Sequence, residues 1–96
     1  MILASAIKYY VPKTGKEVIL CGARHGDIFK QQYLLGFEPH ELKEIEQGFI
    51  DHNNKFLTRK EAFTHAKECG QLCAMRIYER ENGAVGGTNL ISEDLW

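Results

Sequence analysis

Apolar and polar residues alternate from Leu3 to Val11, with Leu3, Ser5, Ile7 and Tyr9 in one register and Ala4, Ala6, Lys8 and Tyr10 in the other. A period of two among β-branched and aromatic residues predicts a strand. Pro12-Lys13-Thr14-Gly15-Lys16 follows and supplies the backbone angles of a turn. Glu17-Val18-Ile19-Leu20-Cys21 then reads as the returning strand, so an antiparallel hairpin opens the chain.

The period changes after Cys21. Gly22-Ala23-Arg24-His25-Gly26 breaks the strand, and from Asp27 the residues Ile28, Gln31, Leu34 and Leu35 fall at helical spacing, flanked by Phe29 and Tyr33. Gly36 is a natural C-terminal stop. Residues 37 to 43 contain Pro39 and read as loop. Ile45 to Ile50 reads as a third strand, and Asp51-His52-Asn53-Asn54 as a tight turn of residues that tolerate left-handed angles.

Thr58-Arg59-Lys60-Glu61 is a capping box: the threonine hydroxyl accepts from the Glu61 amide, and the Glu61 carboxylate accepts from the Thr58 amide. It predicts a helix from Arg59 to about Cys69, with Ala62, Phe63, Ala66 and Cys69 inward and Gly70 just past its end. Leu72 to Tyr78 fits either helix or strand. Glu79 to Asn89, with Gly83, Gly86 and Gly87, reads as a flexible loop. Leu90-Ile91 reads as a last short strand or as an apolar tail. These elements predict a single α+β domain over residues 1–96, with a Gly-rich loop and a C-terminal tail. A small antiparallel sheet of three to five strands would carry two helices packed on one face.

Composition narrows the function. The chain has 96 residues, 44% of them hydrophobic and 26% charged, as in globular domains. A domain this small buries roughly 60–70% of its unfolded surface, so it folds with modest reserve, and oligomerisation is an ordinary way to gain more. A net charge of -1 gives no basic field for duplex nucleic acid. It leaves room for a small anion, which needs only two or three local donors. No apolar run approaches the ~20 residues of a membrane helix, and the apolar start lacks the basic segment of a signal peptide. A cytoplasmic setting and no membrane partner are expected. Cys21, Cys69 and Cys73 are an odd number of cysteines, which suits reduced thiols.

Several groups carry candidate chemistry. Arg24-His25-Gly26-Asp27 lies between a strand and a helix, where free amides, a positive dipole end and a guanidinium suit an anion. The competing reading makes Asp27 the helix N-cap and leaves Arg24 and His25 as surface residues. His65 and Cys69 stand four apart on one helix, a spacing that suits zinc. The chain has no Cys-x-x-Cys pair, however, and no metal or other cofactor is expected. Cys21 follows Val18-Ile19-Leu20 and reads as a core thiol rather than a nucleophile. Ser92-Glu93-Asp94-Leu95-Trp96 puts a large indole where chains usually fray. It is read either as a contact within the subunit or as a tail that closes a pocket or reaches a neighbour.

One resemblance spans nearly the whole chain. Ala4-Ser5-Ala6-Ile7-Lys8, Arg24-His25 with Asp27-Ile28, Glu46-Gln47-Gly48-Phe49-Ile50, Phe56-Leu57-Thr58-Arg59 with Glu61-Ala62, Gly70-Gln71 and the run from Leu90 to Trp96 together resemble a family of small phage and prophage proteins. The Glu-Gln-Gly-Phe segment and the Ser-Glu-Asp-Leu-Trp end are its most specific pieces. Many small phage proteins counter host immunity, and one class oligomerises and buries a nucleotide second messenger. The resemblance therefore implies a non-enzymatic protein of the host cytoplasm, a homo-oligomer. Its ligand would be a cyclic ADP-ribose isomer or a cyclic dinucleotide. Arg24, His25, Gln47, Arg59, Gln71, Asp94 and Trp96 have suitable chemistry for phosphate, ribose and base. An enzyme that degrades such a nucleotide, with His25 as general acid or base, is one alternative. A protein–protein inhibitor of a host enzyme is the other.

Overall fold

The computed structural model describes residues 1–38, 40–83 and 87–95. Strands β1 (Ile2–Val11) and β2 (Lys16–Gly22) form the hairpin, followed by helix α1 (His25–Leu34) and strand β3 (Lys43–Asp51). A short β4 (Phe56–Thr58) runs into α2 (Arg59–Glu68), then α3 (Ala74–Glu81) and a 3-10 turn over Ser92–Asp94. The sheet is antiparallel in the order β2-β1-β3-β4, so the first strand is central.

The fold class is α+β, as the sequence pattern predicts, with three α-helices among the described residues rather than two. The third covers residues whose pattern fits either helix or strand, and it runs on into residues 79–81, which read as loop. The pattern does not predict β4, because three residues are too few for a periodic signal. Leu90-Ile91 form no strand; Leu90 is buried and its amide donates to the Arg59 carbonyl at 2.9 Å.

Ser5, Ile7 and Tyr9 share one face of β1, and Phe49 is the register partner of Ser5. On this face Ile7 and Tyr9 cluster with Ile28 of α1 and Leu42, while Phe49 and Leu57 cluster with Ala62, Phe63 and Ala66 of α2. Both helices thus cover one face. The opposite face carries Ala6, Lys8 and Phe56, with Lys8 Nζ 4.7 Å from the Phe56 ring centre, a cation–π contact.

The caps follow local chemistry. Glu61 N–H donates to Thr58 Oγ1 at 3.2 Å and Thr58 N–H donates to Glu61 Oε1 at 3.0 Å, completing the predicted box. The Asp27 carboxylate accepts from Arg24 N–H at 3.2 Å, which starts α1 two residues before Asp27. Asp51 holds its turn by accepting from Asn53 and Lys55 N–H, each at 2.9 Å. Cys69 corrects one expectation: it is exposed at the end of α2, its thiol donating to the Ala66 carbonyl, because the helix stops there instead of turning it inward.

Candidate functional site

Helix α1 starts beside the 3-10 turn, and a hydrogen-bonded relay joins them. His25 Nε2 lies 2.8 Å from the Gly48 carbonyl, which only accepts, so Nε2 carries a proton. In the neutral ring Nδ1 is then an acceptor, and it lies 2.8 Å from Ser92 Oγ. Ser92 Oγ is in turn 2.8 Å from Ser5 Oγ, and Ser5 Oγ lies 3.1 Å from the Ala23 carbonyl. His25 N–H also donates to Ser92 Oγ at 3.3 Å. The imidazole packs edge-on to Phe49 with ring centres 5.1 Å apart. Burial pushes the His25 pKa below its usual value; the Gly48 contact opposes this and the Arg59 charge adds to it.

A cleft of about 350 Å³ opens over this relay, lined by Arg24, His25, Lys30, Arg59, Ser92 and Glu93 among others. Three cationic side chains, Arg24, Lys30 and Arg59, face two carboxylates, Asp27 and Glu93, an excess of one positive charge. Asp27 and Ser92 already occupy the amides of Arg24 and His25. The positive excess of the cleft therefore comes from side-chain cations more than from the helix end.

Arg59 is shared with a second, adjoining cleft of about 530 Å³, lined by Glu44, Glu46, Gln47, Thr58, Lys60 and Asn89. Its Nη2 donates to Gln47 Oε1, and Gln47 Nε2 donates to Glu44 Oε1 at 2.6 Å. Arg59 Nε is buried without a hydrogen-bond partner among the described residues. Such a donor costs stability.

The candidate residues separate accordingly. Arg24, His25 and Arg59 meet at one cleft, and Gln47 joins them through Arg59. Gln71 lies on neither cleft; its amide donates to the Ile2 carbonyl at 2.9 Å and accepts from Ile2 N–H, fastening the start of β1. Asp94 is spoken for by Arg80 at 2.9 Å and Arg76 at 3.4 Å, both on α3. Trp96 lies outside the described residues. Lys30 and Ser92 line the cleft but were not among the candidates. Lys30 carried no signal beyond its charge on an outward helical position, whereas Ser92 lay within the distinctive C-terminal run. Among the described residues, no three His, Cys, Asp or Glu side chains group as metal ligands.

A family model described as Phage T4 y16D protein matches residues 1–96. The chain belongs to that family. It is thus a phage protein, as its resemblance to small phage proteins implied. No curated protein and no solved structure matches it. Within this phage family member, no helix among the described residues is long and apolar enough to cross a membrane.

Proposed function

We propose that this phage protein binds a small phosphate-bearing nucleotide signal in the Arg24–Lys30–Arg59 cleft and sequesters it without turnover, in the cytoplasm of the host. The observation that supports the reading most is the convergence of Arg24, Lys30 and Arg59 on one cleft beside a second, more polar one. Guanidinium and ammonium groups are the usual partners of phosphate oxygens. The adjoining cleft offers Glu44, Glu46, Gln47 and Asn89, which suit ribose hydroxyls and base edges. Both volumes fall within the range of small-ligand sites. Cyclic dinucleotides and cyclic ADP-ribose isomers are the class in view, and removing such a messenger would blunt a host defence that depends on it.

A thermal-shift screen against cyclic dinucleotides, cyclic mononucleotides and ADP-ribose isomers tests this reading. A ligand at 100 times its dissociation constant stabilises the fold by about 2.7 kcal/mol, several degrees or more in a domain of this size. No shift with any of them refutes it.

One observation favours a second reading, turnover of the bound nucleotide. Ser92 Oγ lies 2.8 Å from a basic imidazole nitrogen, the arrangement of a nucleophile and its base. Against it, Ser92 is buried and its oxygen also engages Ser5 and the His25 amide. Heat-denaturing the loaded protein separates the two: sequestration returns the ligand intact, and turnover returns products.

A further inference from the structure

The two edges of the sheet are built differently. β4 is a three-residue edge that runs straight into α2. β2 is a seven-residue edge, Lys-Glu-Val-Ile-Leu-Cys-Gly, paired to β1 without a register shift from Ser5/Gly22 to Val11/Lys16. It carries no proline and no bulge, and its charges stand only at its start, so it lacks the usual devices that blunt an edge. No described strand pairs with its outer side, where the Cys21 carbonyl accepts from Gln31 Nε2, and Val18 and Ile19 are 37% and 43% exposed.

The layer above the edge is apolar too. α1 runs back along β2, tied by Gln31 Nε2 donating to the Cys21 carbonyl at 2.7 Å. Leu34 and Leu35 stand three and four positions beyond Gln31 and so share its side of the helix. They are 81% and 60% exposed.

The geometry points to the β2 edge as the interface with a second copy of this chain, the two β2 strands pairing antiparallel about Ile19 into one continuous sheet. The strand is self-complementary in that register. Lys16 falls opposite Gly22, Glu17 opposite Cys21, Val18 opposite Leu20 and Ile19 opposite itself. All seven residues pair, apolar meets apolar on both faces, and no like charges stand opposite each other. Antiparallel pairing of identical strands is a closed two-fold contact, so it stops at a dimer. A seven-residue strand is about 24 Å long. With ~10 Å for the sheet layer and ~10 Å for the helix layer above it, the edge offers about 500 Å² per partner. That is close to the ~1,000 Å² total at which specific interfaces begin, so the contact is of the small, reversible kind.

Sedimentation velocity of the full chain without nucleotide, from low micromolar to several hundred micromolar, reads this out. The expected result is a monomer–dimer equilibrium that Ile19→Lys, which sets two like charges face to face, shifts at least tenfold toward monomer. Hydrogen exchange on the unaltered protein gives an independent reading: amides of residues 16–22 should gain protection as concentration rises. A monomer throughout overturns the proposal. So does a dimer that forms without added protection of β2, or one unmoved by a folded Ile19→Lys. Because no nucleotide is present, none of these outcomes bears on the cleft.

Discussion

Ser92 Oγ lies 2.8 Å from Nδ1 of His25, although 67 positions separate them in the chain. Around this contact the C-terminal turn, the start of α1 and the central strand meet, since Ser5 and the Gly48 carbonyl complete the relay. Ser92→Ala would leave the Nδ1 acceptor without its donor. We expect a loss of about 1–3 kcal/mol in denaturant unfolding. A variant as stable as the parent would mean that the relay contributes nothing to folding.

The relay also sets a pH dependence. Burial holds the pKa of His25 below its ordinary value in the fold, so the unfolded chain takes up the proton first as pH falls. The contribution of the neutral ring is complete above about pH 6.5 and is lost as pH drops from there through the lowered folded value. Asp51 and Glu61 are held below the usual carboxylate range, chiefly by backbone N–H donors of Lys55 and Thr58. Their contributions are complete above about pH 4 and fade at more acid pH. Urea midpoints between pH 8 and 3 should show both phases, and His25→Gln should remove only the first. A profile flat from pH 8 to 5 in the parent would refute the assignment.

Gly48 has no room for a side chain. A Cβ there would lie 2.1 Å from the Leu57 carbonyl oxygen and 2.7 Å from Cζ of the Phe56 ring. Gly48→Ala should cost ~3 kcal/mol or more, because the nearer obstacle is backbone that cannot rotate away. Gly26 in α1 is the matched control, since a Cβ at that position would meet nothing within 4 Å. Gly26→Ala should stabilise by about 0.4–1 kcal/mol. Thermal unfolding of the two variants would give shifts of opposite sign.

Arg80 and Asp94 form a buried pair, 4% and 0% exposed at their side chains. Asp94→Ala leaves Arg80 charged and largely out of water, and should destabilise by about 3–5 kcal/mol. Arg80→Met with Asp94→Leu should recover most of that loss, since no buried charge is left unpaired and Arg76, 42% exposed at its side chain, stays in contact with water. If the double variant is no better than the single one, the pair is needed for more than charge balance.

Arg24→Ala and Arg59→Ala should each weaken nucleotide binding by roughly 10- to 100-fold, the range of a charge-assisted hydrogen bond to phosphate. Lys30→Ala should do the same to a lesser degree, and Gln71→Ala should leave affinity unchanged because Gln71 serves Ile2. Titration calorimetry with whichever nucleotide shifts the melting temperature measures all four. Equal affinity of Arg24→Ala and the parent would move the site elsewhere.

Much of the fold was legible because its signals are local. The Thr58/Glu61 box, the turn at Asp51 and the alternation of β1 each encode their element within a few residues. β4 and α3 were not, since one is too short for a period and the other lacks a run of buried apolar positions to mark it. The site divides in the same way. Arg24 and His25 announce themselves by lying between strand and helix, whereas Arg59 enters only through the family resemblance. That Ser92 reaches His25 while Asp94 turns to Arg80 depends on how the last segment crosses the domain, and two positions of spacing in an acidic run do not encode it.

The central place of β1 also orders the steps of folding. Its pairing with β2 closes over a turn of a few residues, whereas its pairing with β3 must wait for the excursion through α1, and the Ser5–Ser92 contact spans 87 positions. Loop closure of that length is slow to reward. Substitutions in the hairpin should therefore slow refolding, while Ser92→Ala should act mainly by speeding unfolding. Stopped-flow chevrons would show the hairpin as the nucleus and the C-terminal turn as the latch that sets how long the native state lasts.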